Sequence, residues 1–428
     1  MSPTFSSLEI RNYRLWITGA FISNVGTWMG RVGQDWLVLT TLTAGSGTAL
    51  GVVTGLQFLP FLVLAPWTGL IADVFPKRRL LVITQVLLLV TSLLLAILAL
   101  GGWAHLWHVY AIALAQGVIT AVDNPARQAF VSEMVPADRL TNAVALNSAS
   151  FNGGRLIGPG IAGVIIAAWG TGEALLLNAL TFVFVLIALA RMRPSELTPA
   201  PLARGRGGIR EGFAYVRSRP DLQLVMLLVF VLGTFGMNFQ ITTALMATQV
   251  FGKGASEYGL LGSIMAIGSL AAALLSARRQ NARLRVLLLS LAGFAVAAAF
   301  AASAPTYGRF ALALVPVGLT ALTALTTANA MVQTRTAPEM RGRVMALYMA
   351  IFMGGTPIGA PMIGWIGEHI GPRWTIGIGS IAVGITLAVV AVWLARHENV
   401  RVSYESQRRP RLRVTTAPVT VPIPESAR

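Results

Sequence analysis

The chain has 428 residues, of which 55% are hydrophobic and only 11% charged, with a mean hydropathy of +0.69. Soluble domains carry about 25% charged residues, so an ordinary soluble enzyme, a disordered protein and a secreted disulfide scaffold are all excluded. The chain has no Cys, and His105, His108, His369 and His397 are too scattered for a metal centre, so neither a metal nor another cofactor is expected.

Apolar runs of about 20 residues, enough to cross a ~30 Å hydrocarbon layer as helix, recur along the whole sequence. Residues 1–13 contain Glu9 and no apolar signal core, so the first run is expected to be retained. Helical spans are predicted near 14–40, 48–72, 79–100, 106–128, 141–168 and 173–192. Six more are predicted near 221–250, 257–277, 284–303, 307–334, 342–367 and 373–395. The segment between spans six and seven is rich in Pro, Gly and Arg, and within it Gly208 to Arg219 is expected to form a short interfacial helix with Ile209, Phe213 and Val216 on one face. After Arg396 the chain is basic and Pro-rich, the composition of a disordered tail.

The net charge of +17 sits in short clusters between the apolar runs, a topology signal rather than a nucleic-acid footprint. With the N-terminus placed in the cytoplasm, 28 Lys and Arg fall on the inside and 3 on the outside, a bias that places both termini inside and supports an even number of spans. The chain then divides into an N-terminal six-helix bundle (1–192), a cytoplasmic linker (193–220), a C-terminal six-helix bundle (221–395) and a basic cytoplasmic tail (396–428). A shift of 201 residues lays span five on span eleven: Phe151, Gly153 and Gly154 meet Phe352, Gly354 and Gly355, Ile157-Gly158 meets Ile358-Gly359, and Gly163 and Gly170 meet Gly364 and Gly371. The expected fold is all-α and polytopic, with twelve transmembrane helices in two parallel-repeat bundles.

Charge inside a membrane span is costly and marks a cavity or a partner. In span one Asn24, Thr27, Arg31, Gln34 and Asp35 share one helical face, and Arg31 and Asp35 are spaced i,i+4, so they can hydrogen-bond each other. That pair reads either as a structural neutralisation or as part of a cavity for substrate or protons. Span five carries Asn152 and Arg155 without an acid of its own, so Arg155 needs a partner helix, solvent or an anionic ligand. The second half offers Asn238, Gln240 and Asn329 as polar pathway residues, together with Gln333, Met265, Met349 and Phe352. Spans three, six, nine and twelve are the least polar and are expected to face lipid.

These features together resemble the major facilitator superfamily of transporters. Gly69-Leu70-Ile71-Ala72-Asp73-Val74-Phe75-Pro76-Lys77-Arg78-Arg79 is similar to the family's loop motif after span two, with Val74 and Pro76 departing from the usual Arg and Gly. The resemblance implies that Gly69, Asp73, Lys77 and Arg78 latch the two halves in the outward-facing state, with Asp123 and Arg127 of span four beside them. Gly154-Arg155-Leu156-Ile157-Gly158-Pro159-Gly160-Ile161-Ala162-Gly163 resembles the motif associated with exporters, with only Ala162 departing. It implies that Gly158 and Pro159, with Gly154 and Gly163, shape a close contact between span five and a second-half helix. Gln116-Gly117 matches the span-four motif, but Ala113 stands where its Arg is expected. Gly26-Thr27-Trp28-Met29, Asn124-Pro125-Ala126-Arg127-Gln128-Ala129 and Arg341-Gly342-Arg343-Val344-Met345 look like the bacterial branch of enterobactin, drug and secondary-metabolite exporters.

The implied function is a proton-coupled secondary exporter of a small amphipathic compound, working by alternating access in a bacterial inner membrane. Its expected partners are the small-molecule substrate, protons and the lipid bilayer. No G-x-x-x-x-G-K-[ST] phosphate loop is present to drive it with ATP. An importer on the same fold is the nearest alternative; an integral-membrane enzyme would need a constellation of His, acids or metal ligands that this sequence lacks.

Overall fold

A computed structural model describes residues 3–64, 67–68, 71, 74–198, 209–277, 282–397, 401–405 and 411–415. Gly69 and Asp73 lie outside the described residues. The first half contains α1 (Arg11–Trp36), continued by a π-helical turn at Leu37–Leu42, α2 (Gly47–Val63), α3 (Lys77–Leu100), α4 (Leu106–Met134), α5 (Ala137–Ala168) and α6 (Thr171–Arg191). A linker helix (Ile209–Arg217) leads into α7 (Pro220–Val250), α8 (Ala255–Ala277), α9 (Leu284–Ser303), α10 (Tyr307–Arg335), α11 (Arg341–His369) and α12 (Trp374–His397). Among the described residues ten helices are long and apolar enough to cross a membrane, and α2 is a shorter apolar one. The remaining helix, α1, carries the polar stripe that lowers its hydropathy.

The helices follow the expected spans closely, with two exceptions: α2 ends at Val63, short of the expected 72, with Leu64 as its C-cap, and α4 is longer than expected. α4 runs to Met134, past the expected end at 128, because its last turns are amphipathic. Phe130 is buried with its ring edge-on to Trp16 at 5.4 Å, and Val131 and Met134 join the same core. Asp123 and Arg127 therefore sit inside a helix rather than at its mouth. Exposed Ile83 and Val90 on α3, Phe184 on α6, Leu289 and Phe300 on α9, and Ile385 and Val389 on α12 form the outer apolar surface, as the low polarity of those spans requires.

The duplication is visible in the backbone. Gly170 turns α5 into α6 at φ 122°, and Gly371, 201 positions on, turns α11 into α12 at φ 132°. Both conformations disfavour any side chain with a Cβ. Gly154 and Gly158 let α5 lie against Asn24, Val25 and Trp28 of α1; their counterparts Gly355 and Gly359 let α11 lie against Thr234 of α7. The adjacent face of each helix meets the opposite half. Pro159 and Gly163 of α5 contact Gly259, Gly262, Ala255 and Ser256 of α8, while Pro361 and Gly364 of α11 contact Gly51, Gly55 and Gly47 of α2.

This corrects one expectation: Gly158 does not face the second half. Residues 154 and 158 share a stripe of α5, and the next residue, Pro159, is turned about 100° around the axis. The motif is thereby split between two neighbours.

α7 is not continuous. A π-helical turn at Leu232–Gly236 leads into a break at Met237 and Asn238, α-helix resumes over Phe239–Leu245 and a second π-helical turn follows at Met246–Val250; the Nδ2 of Asn238 donates to the carbonyl of Thr234 at 2.7 Å. Broken helices at membrane depth are tolerated where they line a cavity or are buried in protein.

The linker helix packs on α11, with Glu211 paired to Arg343. Val216 is buried and Phe213 is exposed, while the side chain of Ile209 lies outside the described residues. In the tail, whose composition predicts disorder, Arg401–Glu405 pairs antiparallel with Arg411–Thr415.

Candidate functional site: a central cavity

Both halves place their chain connections so that one end of the molecule carries the N-terminus. There Ser7 is held by Asn142, and Asn12 by the backbone of Arg193. At the opposite, distal end the halves are fastened together. Glu368 of α11 accepts from the Ser46 hydroxyl and the Thr48 amide, both at 2.8 Å. Gln249 donates to the Gly45 carbonyl at 2.7 Å, and Ser256 donates to the Gly163 carbonyl at 3.2 Å. Deepest of these, the Tyr258 hydroxyl of α8 donates to Asp35 Oδ2 of α1 at 3.0 Å. Asp35 and Tyr258 are 4% and 3% exposed, and the Tyr258 ring also stacks on Trp36.

Behind this closed end lies a cavity of about 900 Å³ between the halves. It extends toward the terminal end as far as Gln128, Val131 and Val144, where Val144 and Phe151 are half exposed. Asn24, Thr27, Arg31 and Gln34 of α1, Asn152 and Arg155 of α5, and Asn238 and Gln240 of α7 all line it. Asn329 does not. It lines a smaller chamber of about 390 Å³, walled by the second half and by Arg155 of α5, which shares Arg155, Met237, Phe239 and Phe352 with the main cavity.

Aromatic side chains give the cavity its apolar wall: Trp28, Phe58, Phe61, Phe151 and Phe352. Arg31 has its guanidinium carbon 4.9 Å from the Trp28 ring and 5.7 Å from the Phe58 ring. Arg155 approaches the same Trp28 at 5.6 Å. The expected hydrogen bond between Arg31 and Asp35 is not made: among the described residues no ion pair joins them, and Asp35 is bound by Tyr258 instead. Two physical reasons account for this. A basic residue preceding an acid at i,i+4 is the weaker order on a helix. A buried tyrosine hydroxyl also needs a partner, and Asp35 supplies it.

Asp123 is the lone acid among the described residues lining the cavity. Its carboxylate is fully engaged within the first half. It accepts from Arg127 and Thr84, both at 2.5 Å, and from Gln85 at 2.8 Å. Arg127 also lies over the Trp16 ring. Lys77 is buried against Glu133 at 3.3 Å, and Arg78 donates twice to the Leu189 carbonyl at the end of α6. The described members of the loop motif thus brace the first half at its terminal end.

Several lining residues carried little sequence signal. Tyr258 is a lone phenol in an apolar span, and its need for a hydrogen-bond partner was the only hint. Trp28, Phe58 and Phe61 look like ordinary membrane aromatics. Asn178 of α6 lines the cavity although its span is among the least polar.

Residues 2–423 match the family described as transmembrane secretion effector. The chain is 27% identical over 263 residues to the staphyloferrin A transporter of Staphylococcus aureus (strain NCTC 8325 / PS 47), covering 61% of this chain and 66% of that protein. It is 26% identical over 394 residues to the multidrug efflux pump Tap of Mycolicibacterium fortuitum, covering 88% and 94%. It is 24% identical over 374 residues to the enterobactin exporter EntS of Shigella flexneri, covering 84% and 86%. In fold it is similar to a variant of the nucleoside transporter NupG, with a TM-score of 0.72 at 14% identity over 89% of this chain and 99% of that one. Twelve helices in two repeated halves, a cavity between them and a match along nearly the whole sequence place this chain in the transmembrane secretion effector family of major facilitator transporters.

Proposed function

We propose that this transporter exports a small amphipathic compound from the cytoplasm by alternating access, using the proton gradient across a bacterial inner membrane. The one-sided cavity carries this reading: it is fastened at the distal end by Asp35–Tyr258 and Glu368, and it extends toward the end that bears the N-terminus. The excess of Lys and Arg in the connections on that side supports a cytoplasmic placement, with both termini inside. The arrangement is then an inward-facing state, ready to receive cargo. The names of the relatives, a multidrug efflux pump and an enterobactin exporter, support export over import. The rocking units are residues 1–192 and 221–395, joined by the linker 193–220, with 396–428 as a cytoplasmic tail.

In this mechanism cargo occupies the cavity between Arg31, Arg155, Asn152, Asn238 and Gln240. Asp35 is the proton carrier. As a carboxylate it accepts the Tyr258 hydrogen bond that holds the distal end shut; a proton on Asp35 weakens that acceptor, which couples protonation to opening. Asp73, Lys77 and Arg78 serve the complementary closure at the cytoplasmic end.

The test begins with an untargeted comparison of extracellular small molecules from cells with and without the protein. Inverted vesicles are then incubated with the compounds that differ. Accumulation against a gradient when a proton gradient is imposed, abolished by an uncoupler, is the expected result. Accumulation that ignores the uncoupler overturns proton coupling, and uphill movement only in right-side-out vesicles overturns export.

A further inference from the structure

Arg31 and Arg155 pose a chemical problem that the protein does not itself solve. A guanidinium carries five N–H donors and is always charged. Neither of these donates a hydrogen bond to another described residue, and neither has a carboxylate within ion-pair distance. Arg31 feels Asp35 only through space, because Asp35 is committed to Tyr258. Asp123 is likewise committed to Arg127. Both guanidinium groups rest against one ring, Trp28, on the cavity wall. That contact steadies the cations but leaves their N–H edges free. Two like charges held against a single indole in a low-dielectric cavity are costly unless an anion joins them.

Unpartnered polar atoms surround the same place. Gln34 is 3% exposed and its Nε2 has no partner; Asn178 and Asn238, 7% and 5% exposed, each have an Oδ1 without one. All three residues line the cavity. Protein interiors rarely leave such groups unmet. They add one unmet donor and two unmet acceptors to the residues that line the cavity with the two cations.

We infer that the cargo is an organic anion with a flat, apolar body, whose acidic group is shared by Arg31 and Arg155 while its ring system packs between Trp28, Phe58 and Phe151. The inference rests on the exporter reading for the word cargo, but the charge selectivity of the site stands apart from the direction of transport. A carboxylate or sulfonate fits the bidentate geometry of arginine. A cationic amphiphile of the same shape would be repelled.

The experiment uses full-length protein in nanodiscs and three probes with one ring system: 2-naphthoate, 2-naphthylmethanol and 2-naphthylmethylammonium. Binding is read by quenching of tryptophan emission in the wild type, Arg31→Gln, Arg155→Gln and Arg31→Lys. The wild type is expected to bind the anion at least about tenfold more tightly than the neutral probe and to show the weakest binding for the cation. Either Gln substitution is expected to erase that preference, and Arg31→Lys to keep part of it. Gel-filtration profiles identify a variant that has merely unfolded, and the Lys variant and the wild-type probe series decide the matter without it. Equal binding of the three probes, binding of none at millimolar concentration, or preference for the cation overturns the inference. Proton-driven export of a cationic compound overturns it while leaving the exporter reading intact. Charge-selective binding without transport does the reverse.

Discussion

Asp35 of the first half and Tyr258 of the second are joined by a buried hydrogen bond of 3.0 Å, 223 residues apart in the chain, at the floor of the central cavity. The bond links a buried carboxylate of α1, just behind the cavity lining, to the contacts that hold the halves together at the distal end. Hydrogen bonds to a charged group contribute about 1.5–3 kcal/mol, enough to move a balanced two-state equilibrium strongly to one side.

Tyr258→Phe is therefore expected to shift the protein toward the distally open state while leaving it folded. The natural chain has no Cys, so a single Cys at Ala255, buried against Gly163 of α5, provides a reporter of that end without removing a hydrogen bond between the halves. Its labelling by a membrane-impermeant maleimide from the distal side is expected to rise several-fold in the Phe variant. Unchanged labelling would show that the hydrogen bond does not hold the gate.

Asp35→Asn removes the titratable group that the proposed mechanism uses as its proton carrier but keeps the side chain's size. Uphill transport is expected to be lost, with cargo binding partly retained, and the pH dependence of whatever transport remains should flatten. An Asn variant that still concentrates cargo with the wild-type pH profile leaves Asp35 with a structural role only. Asp73→Asn, by contrast, is expected to slow transport without changing its pH dependence, as a loss at the cytoplasmic closure would.

The two faces of α5 give separable outcomes. Gly158→Leu places a large side chain against Val25 and Trp28 of α1, inside one half, and is expected to lower yield and thermal stability before anything else. Gly163→Leu pushes against Ala255 and Ser256 of α8, between the halves, and is expected to leave a stable protein whose distal end no longer closes. Melting temperature against maleimide access to the distal end distinguishes them; the same response from both variants contradicts the division.

Asp123 and Arg127 form a buried pair with Thr84 and Gln85 as further donors. Asp123→Ala leaves the Arg127 cation without its carboxylate, which costs about 3–5 kcal/mol for a buried pair. The expected readout is a melting temperature lowered by several degrees in detergent, partly restored when Arg127→Leu is added. A single variant as stable as the wild type would count against the bracing role.

Much of this was legible in the sequence. Long apolar runs place the helices because hydrocarbon thickness fixes their length, and the 201-residue offset identifies the repeat because turn glycines such as Gly170 and Gly371 are constrained by backbone geometry. The polar face of α1 was also legible, since residues 24, 27, 31 and 34 share a stripe by helical period alone. Partners were not. The spacing of Arg31 and Asp35 suggests a local pair, yet Tyr258 claims the acid and Trp28 the cation, and nothing in a periodicity reports which distant helix will come alongside. For the same reason Asp123 was legible as an acid near a membrane face but not as the centre of a cluster with α3.

Glu368 has a role that extends beyond fastening. Its carboxylate occupies the first turn of α2, accepting the Thr48 amide, while Ser46 caps Ala49 from within the same turn. One half of the protein thus completes the helix end of the other. When the halves part distally, α2 loses that borrowed acceptor, and the Thr48 amide passes from a carboxylate to water. The Thr48 amide is thereby a backbone reporter of the distal contact: its exchange with deuterium is expected to quicken whenever cargo or a proton gradient raises the share of molecules in which Glu368 has withdrawn.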